Sequence, residues 1–497
     1  MASQKKRGTN GVLRALSEFM RSACTITALA LFLLSGCQDE PAPDDVPQIS
    51  ADEAKFGAAQ HPRLLAELGG EYRGDEQSYV RQLGAKMAGA AGFGTRCTFT
   101  LVNSDVVNAF AVPGCYIYVT RGLMAIVTSE AELASVLGHE IGHIAGRHSE
   151  RQQNRSLWST LGVIAISLTG SEQLTRLAAG AAQLFTTRYS RTQEYESDEL
   201  GIHYLREAGY CPYAAADMLD ALSRQERFLS ESGGRDEARS VPEWVRSHPL
   251  TAKRIARARQ LARATGLADD ALPEAEAPYL AAVDGLLYGD DPEQGFVIGR
   301  YFAHPLLRIA FEAPPGFTLA NSPQAIGLHG PNGVRGEFSG GTIPKGGLPA
   351  YLDQLLAQVV GDADPRPGTA RSRLINGLPA ITVPVRVATR QGTVDIWLAA
   401  YDGGGGRAYH FVLMSRTGGE EAAAIERLFG SFRQIDAQEA AALHPRAIHI
   451  VTVAPGESAA SLARRIADPH PLALLSVLNG GQPVVPGRRV KIVTAIR

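Results

Sequence analysis

Apolar residues recur at helical spacing in the run SEAELASVLGHEIGHIAGRH, residues 129–148. Ser129, followed three residues later by Glu132, has the pattern of a capping box, which begins a helix. The apolar positions that share one helical face are Leu133, Val136, Leu137, Ile141 and Ile144. This spacing predicts an amphipathic helix that starts at Ser129.

Two runs before this helix are typical of strands, CTFTLVNS (97–104) and AFAVPGCYIYVT (109–120), because they are rich in β-branched and aromatic residues. Two further helices are predicted after it, in EYESDELGIHYLREAG (194–209) and in SHPLTAKRIARARQLARATG (247–266), the second with Pro249 in its first turn. We therefore expect a mainly helical domain with a small sheet.

The pattern changes after the acidic linker LADDALPEAEAP, residues 267–278. Strand-like segments such as AITVPVRVA then alternate with turns, and the helix EEAAAIERLFGSF closes this region. The tail has the order strand, helix, helix, strand. The predicted fold is multidomain α+β, with a flexible tether at 37–49, a helical domain at 50–272, an α+β domain of unknown role at 285–436 and a βααβ unit at 446–497.

Length and composition agree with this division. A chain of 497 residues exceeds what one ordinary hydrophobic core serves, so several domains are expected. The hydrophobic share of 45% and the charged share of 20% are typical of globular proteins. The net charge of −2 provides no basic field that would attract nucleic acid, and no nucleic-acid partner is predicted.

The N-terminus has the character of a lipoprotein signal. Its apolar run, Thr25 to Leu34, is shorter than the ~20 residues of a transmembrane helix. The run ends in LSGC (34–37), which resembles the bacterial lipobox. This resemblance implies a signal peptide over 1–36 and a membrane anchor on the lipidated thiol of Cys37. Gln38 favours the periplasmic face of the outer membrane of a Gram-negative bacterium. A secreted signal with a chance cysteine is the alternative.

Three cysteines remain after the signal and the lipid site. An oxidising compartment permits one disulfide, and Cys97 with Cys115 is the nearest pair in sequence. Buried free thiols fit the sequence equally well.

The chemistry is concentrated in HEIGH, residues 139–143. His139 and His143 are four residues apart, so both can face one ion from one side of a helix. Glu140 is turned by about 100° from His139 and can take a proton from a bound water. Zinc lowers the pKa of such a water to about 7, and a catalytic zinc ion needs three protein ligands and one open position. We therefore predict one zinc ion per chain and a third ligand elsewhere.

Two segments could supply that third ligand. His148, in HEIGHIAGRHS, lies five residues after His143, off the ligand face of a continuing helix, so we expect it to be solvated or bonded to the backbone. RTQEYESDELG offers Glu194 and, on the same helical face, Asp198. Glu194 is predicted to complete the zinc site and Asp198 to accept the other ring N–H of a ligand histidine. A solvated helical face is the alternative for both carboxylates.

Four segments in this order, NAFAVPGCYIYVTRGL, HEIGH, EYESD and SHPLTAKRI, are similar to the gluzincin family of CAAX prenyl proteases and HtpX-like peptidases. The lipoprotein start resembles the periplasmic, BepA-like branch. The resemblance implies His139, His143 and Glu194 as zinc ligands and Glu140 as the general base. His248 matches the histidine of the family's HP motif, which implies a gate or a transition-state contact; a structural histidine is the alternative. Cys115 stands where the family usually has glycine.

The strand before the metal helix implies a substrate surface, because an exposed edge holds an extended peptide by backbone hydrogen bonds. The tail, with TVAPGES, LLSVLNG and PGRRVKIV, resembles a LysM module, which implies contact with peptidoglycan. It has no Trp, Tyr or Phe from Ile448 onward, so a structural or protein-docking role fits equally. We expect a zinc endopeptidase that cleaves misfolded or stalled envelope proteins. The alternative is an envelope chaperone or scaffold with latent proteolysis, tethered to peptidoglycan.

Overall fold

The computed structural model of the protein describes residues 49–152, 189–232, 242–361, 363–389 and 392–496. The first helix within these residues begins at Ala51. The predicted signal peptide, Cys37 and nearly all of the tether lie outside these residues. Among the described residues, no helix combines the length and the apolar character that crossing a membrane requires.

The helices outnumber the strands in the first region of the chain. Its elements are α1 (Ala51–Glu67), α2 (Asp75–Ala90), β1 (Thr98–Val102), β2 (Ala109–Val112), β3 (Tyr116–Thr120), α3 (Arg121–Ile126), α4 (Glu130–Ala145), α5 (His148–Gln152), α6 (Arg191–Glu207), α7 (Ala214–Ser232), α8 (Glu243–Ser247), α9 (Ala252–Ala264) and α10 (Glu276–Ala282). The predicted helical domain with a small sheet is present.

The start of α4 follows from its capping sequence. The Ser129 hydroxyl accepts a hydrogen bond from the backbone N–H of Glu132, as predicted, but the Glu132 carboxylate accepts from Thr128 and does not close the predicted capping box. Glycines then set how α4 meets α6. A Cβ on Gly138 would lie 3.2 Å from the Gly201 carbonyl oxygen, and one on Gly142 would lie 3.0 Å from the Ser197 carbonyl oxygen. The absence of side chains therefore lets the two helix backbones approach closely.

The helix predicted from 247 begins later than expected. Thr251 is the N-cap of α9, and its side chain accepts from the backbone N–H of Arg254. Pro249 therefore precedes the helix instead of lying in its first turn, and His248 lies in the loop between α8 and α9. That loop can direct the imidazole in a way that a regular helix would not.

The small sheet has the strand order β1–β3–β2, with β1 parallel and β2 antiparallel to β3. β2 therefore forms an outer edge, and it packs beside α4. The turn between β2 and β3 contains Gly114 and Cys115, with φ of 90° and 61°. Cys115 forms a disulfide with Cys97 across 4.6 Å between the Cα atoms. The disulfide thus joins the tip of the β2–β3 hairpin to the residue before β1.

The middle region is a separate α+β arrangement. Its elements are β4 (Leu287–Tyr288), β5 (Phe296–Ile298), β6 (Tyr301–His304), β7 (Ile309–Glu312), β8 (Thr318–Asn321), β9 (Ile326–His329), β10 (Arg335–Thr342), α11 (Gly347–Val360), β11 (Pro365–Pro367), β12 (Arg371–Ile375), β13 (Leu378–Thr389), β14 (Gly392–Gly404), β15 (Arg407–Arg416), α12 (Ala422–Ser431), β16 (Arg433–Gln434) and α13 (Ala437–Ala441). The large sheet runs β11–β13–β14–β15–β10–β9–β8, with β12 added to β13, and a smaller sheet runs β16–β7–β6–β5.

The tail follows the predicted order, with β17 (Arg446–Thr452), α14 (Ala459–Ala463), α15 (Pro471–Leu478) and β18 (Arg489–Ala495). Its sheet has the order β18–β17–β4, so a short strand from the other end of the middle region completes it. The apolar side chains of the tail join the same hydrophobic core as those of the helical domain. The multidomain α+β class is confirmed, and the LysM assignment stays a prediction.

Candidate metal centre

Three segments bring the predicted residues together. α4 carries His139, Glu140 and His143, and α6 lies alongside it with Glu194 one turn from its start. α6 begins with a capping box, in which the Ser190 side chain accepts from the backbone N–H of Gln193 and the Gln193 side chain accepts from the backbone N–H of Ser190. The predicted site residues of both helices are buried side by side.

The candidate ligand atoms form a compact triangle. His139 Nε2 and His143 Nε2 are 3.0 Å apart, and they lie 3.7 Å and 3.6 Å, respectively, from oxygens of Glu194. A tetrahedral zinc ion with bonds of 2.0–2.1 Å sets its ligand atoms about 3.3–3.4 Å apart. The spacing of the three side chains therefore fits the size and shape of a zinc site.

His248 lies at a fourth corner of this cluster. Its Nδ1 is 3.3 Å from His139 Nε2 and 2.9 Å from Glu194 Oε1. Together with His143, these side chains form a group of four in which the possible ligand atoms all lie within 4.8 Å of one another. The sequence suggested that His248 is a gate or a transition-state contact, with a structural histidine as the alternative. The structure places it where a fourth ligand would lie.

Charge balance supports a divalent cation. Among the described residues, three carboxylates, those of Glu140, Glu194 and Asp198, are buried around the site, and one guanidinium, that of Arg254, lies among them. Buried negative charge without compensation is costly. An ion with two positive charges would balance the excess, so the donor set fits zinc in charge as well as in spacing.

Glu140 is beside this cluster and outside the triangle. Its Oε1 accepts a hydrogen bond of 3.3 Å from Trp244 Nε1 and lies 3.6 Å from His248 Nε2. Burial raises the pKa of the Glu140 carboxyl, while His248 and His139 act in the opposite direction. The Glu140 carboxylate is thus placed to accept a proton from a water molecule at the metal position.

Asp198 contacts the far side of the first histidine, with Oδ1 3.0 Å from His139 Nδ1. This contact orients the ring so that Nε2 faces the metal position. Burial alone would raise the pKa of Asp198, but Arg254 and His139 hold it well below its usual range. Asp198 therefore remains ionised beside His139.

Arg254 is a site residue that sequence reasoning missed. It is fully buried, with Nε and Nη2 each 2.7 Å from Asp198 oxygens and Nη1 2.6 Å from Glu194 Oε2. One guanidinium thus holds two of the predicted carboxylates. Four arginines lie in α9, and no local pattern distinguishes the buried one. The proximity of Arg254 to the SHPLT segment was the only available signal.

Two aromatic side chains were also missed. The ring of Trp244 stacks on His248 with centroids 4.6 Å apart, and Tyr189 stacks on His143 at 3.9 Å. The backbone N–H of Trp244 donates to the carbonyl of Val107, just before the edge strand β2. The α8 segment therefore covers the metal position and lies beside the predicted peptide-binding edge.

His148 was expected to be solvated or bonded to the backbone, but its ring is buried and its nitrogens face other side chains. α4 ends at Ala145 and Arg147 has φ of 50°, so the chain turns and α5 starts at His148. The buried ring of His148 then lies with Nδ1 2.8 Å from His143 Nδ1 and Nε2 3.2 Å from Glu196. His148 therefore contacts Nδ1 of His143, the nitrogen that faces away from the metal position, and it does not belong to the group of four possible ligands.

The part of the chain that carries this site is similar to known proteins. Residues 75–262 match the family described as Peptidase family M48. The chain is 34% identical over 196 residues to the "Beta-barrel assembly-enhancing protease" of Yersinia pestis, a match covering 37% of this chain and 38% of that protein. The Escherichia coli K12 protein of the same name is 32% identical over 215 residues, covering 41% and 42% of the two chains. The match thus spans about two fifths of these relatives.

A shorter relative is matched over most of its length. The "Metalloprotease YcaL" of Escherichia coli K12 is 28% identical over 245 residues, which cover 46% of this chain and 91% of that protein. The cluster of His139, His143, Glu194 and His248 lies within residues 75–262, the part that the M48 family describes.

Proposed function

We propose that this chain, whose residues 75–262 match Peptidase family M48, is a zinc-dependent endopeptidase of the bacterial envelope. One observation carries the proposal. His139, His143 and Glu194 converge within 3.0–3.7 Å in a buried site, with the carboxylate of Glu140 directly beside them. This arrangement is what hydrolysis of a peptide bond by an activated water requires.

The residues of the chain divide the chemical tasks among them. Zinc, when bound, would acidify a water molecule and polarise the carbonyl group of the peptide. Glu140 would take the proton from that water and deliver it to the leaving nitrogen. Asp198 fixes the orientation of His139, and Arg254 fixes Asp198 and Glu194. These two residues would keep the ligands in place when the substrate binds.

The edge strand β2 supports a polypeptide substrate. Within the part of the chain that the structure describes, β2 pairs with β3 on one side and lies beside α4, so an extended peptide could pair with its outer edge. Such pairing uses backbone groups and makes few demands on sequence. This agrees with unfolded or stalled envelope proteins as substrates, and the names of the relatives from Yersinia and Escherichia point to the same compartment.

The disulfide between Cys97 and Cys115 supports an oxidising location. Anchoring through lipidated Cys37 at the periplasmic face of the outer membrane, and contact of residues 446–497 with peptidoglycan, are parts of the same proposal. They rest on the LSGC motif and on the LysM-like sequence of the tail.

One observation favours a second candidate function, that of an envelope chaperone or scaffold with latent proteolysis. His248 takes the corner that a catalytic zinc ion would leave open, and Trp244 lies over Glu140. With these contacts in place the site is closed to substrate. We propose His248 as the gate, so that proteolysis requires displacement of the α8 segment.

The test compares three forms of the soluble protein that begin after Cys37. The parent, Glu140→Gln and the control Glu420→Gln, at an exposed position of the middle region, are loaded with zinc and incubated with unfolded casein. We expect cleavage by the parent and the control, and a loss of at least about 1,000-fold in Glu140→Gln, with equal zinc content in all three. If the parent carries zinc and still does not cleave, even with His248→Ala, the scaffold function replaces the peptidase.

A further inference from the structure

Lys491 of the tail reaches into the helical domain. It lies on β18 with no exposed surface, and its Nζ donates hydrogen bonds of 2.6 Å to the carbonyl oxygens of Ala125 and Val127. These carbonyls belong to the last turn of α3 and to its C-cap, where helix geometry leaves carbonyl groups without partners. Lys491 thus supplies hydrogen-bond donors to the carbonyl groups at the end of α3, more than 360 residues earlier in the sequence.

The same lysine interacts with the start of the metal helix. Glu132 is the third residue of α4, and its carboxylate accepts hydrogen bonds from the backbone N–H and the hydroxyl of Thr128. Burial raises the pKa of Glu132 to about 7, and the charge of Lys491 opposes this rise. Burial lowers the pKa of Lys491 to about 7, and Glu132 and Glu276 oppose this fall. Each buried charge therefore stabilises the other.

The tail holds Lys491 in place from its own side. The Asn479 side chain accepts from the backbone N–H of Lys491 at 2.7 Å and donates to its carbonyl at 2.9 Å. The backbone of the lysine is therefore fixed to the end of α15, while its side chain points into the helical domain. Lys491 therefore links the tail, through its backbone, to the α3–α4 junction, through its side chain.

Burial of β18 on both faces shows that the tail is not a freely attached module. Alternate residues of a strand point to opposite faces, and yet Val490, Lys491, Ile492 and Val493 are all buried. The helices of a βααβ unit cover only one face of its sheet. α15 also packs against α3 and α7, within one hydrophobic core that includes Leu123, Leu222 and Leu474.

We propose that Lys491 is a positioning residue for the metal centre. Through Ala125, Val127 and Glu132 it fixes the segment from which α4 starts, and His139 follows Glu132 by two helical turns, about 10 Å. The C-terminal βααβ segment is then an integral support of the metal helix, although the middle region separates the two in sequence. The inference rests on the proposed function only in taking α4 as the helix that binds zinc.

Lys491→Met in the full soluble chain tests this, since methionine keeps much of the volume and removes the charge and the donors. Lys345→Met, at an exposed lysine of the middle region, is the matched control. We expect faster hydrogen exchange in peptides covering 121–138 and a zinc affinity, measured against a competing chelator, lower by roughly tenfold. The control should match the parent in both measurements.

A purely local role of Lys491 would give a different result. Exchange would then rise only within 446–496, while 121–138 and the zinc affinity stayed at the level of the parent; that outcome would overturn the proposal. If Lys491→Met does not fold, the double variant Glu132→Gln/Lys491→Met replaces it, because it removes both of the buried charges that attract each other. The proposal requires the double variant to show the same loss of zinc affinity.

Casein cleavage is recorded separately from these two measurements. If neither the parent nor His248→Ala cleaves casein although both bind zinc, the peptidase function is refuted, and the exchange and affinity data still decide the role of Lys491. The two failures are therefore distinguishable in one set of samples.

Discussion

Arg254 and Asp198 form a two-point ion pair inside the protein, with Nε and Nη2 of the arginine each 2.7 Å from a carboxylate oxygen. The remaining nitrogen of the same guanidinium, Nη1, lies 2.6 Å from Glu194. A buried charge is tolerated when it is paired and fully hydrogen-bonded, and removal of one partner leaves the other exposed to a low dielectric. The ligand geometry of the site therefore depends on a residue that is no ligand.

Arg254→Met should lower the zinc affinity by roughly 10–100-fold, because Asp198 and Glu194 lose the group that orients them. The free energy of unfolding should fall by about 3–5 kcal/mol, since a buried carboxylate is left without its partner. Chelator competition and urea denaturation measure the two effects. Arg263→Met, at an exposed position of the same helix, is the control and should change neither quantity. Unchanged zinc affinity in Arg254→Met would show that Asp198 orients His139 without help.

His248→Ala should increase casein cleavage several-fold, because it frees the corner of the metal site at which water and substrate must meet. Zinc affinity should decrease at the same time, since one possible ligand is lost. The initial cleavage rate at saturating zinc is the measurement, with the exposed His470→Ala as control. A variant that holds zinc and loses cleavage would instead assign His248 to the reaction itself.

Removal of the disulfide should loosen the β2–β3 hairpin, and with it the edge of β2 that is proposed to bind the substrate. Cys115→Gly suits the backbone φ of 61°, so it removes the bond without strain. The loop between Cys97 and Cys115 spans 18 residues, and opening it should cost about 3 kcal/mol of unfolding free energy. We expect a higher KM for casein with little change in kcat or zinc content.

The comparison with Cys115→Ser separates the bond from the backbone. Serine also abolishes the disulfide but must place a Cβ at positive φ, so this variant should be less stable than Cys115→Gly. Steady-state kinetics and thermal denaturation of the two variants give the answer. Equal KM values for the parent and Cys115→Gly would mean that the hairpin keeps its position without the disulfide.

The middle region should lose stability in mild acid. His410 on β15 is buried with Nδ1 2.7 Å from the Tyr351 hydroxyl, and burial lowers its pKa to about 4. An unfolded chain has a histidine pKa of about 6.5. Between these values the unfolded chain binds a proton that the folded chain does not, so stability is full above pH 6.5 and falls as the pH drops towards 4.

His410→Gln keeps a polar group near Tyr351 and removes the titration. Between pH 7 and pH 5 the parent should lose about 2 kcal/mol more than this variant. Denaturant-dependent hydrogen exchange of residues 407–416 reports on this strand directly. Parallel loss in both proteins would assign the acid sensitivity to other groups.

Local sequence patterns determined the elements that carry the metal centre. His139 and His143 share a face because helical geometry puts residues four apart on one side, and the same rule joins Glu194 to Asp198. The capping serine at 129 and the strand-forming runs before it follow from backbone preferences, which act over a few residues. The arrangement of the predicted ligands on two helices and the multidomain α+β class could therefore be predicted.

Tertiary structure decided the rest, because contacts between distant segments leave no periodic trace in the sequence. Among the arginines in and around α9, only packing selects Arg254 to face Asp198, and only the loop that precedes this helix brings His248 to the fourth corner. The break at Arg147 turned His148 inward against expectation. The docking of the tail through Lys491 is the clearest case, since burial of a charge depends on partners that the fold supplies from far along the chain.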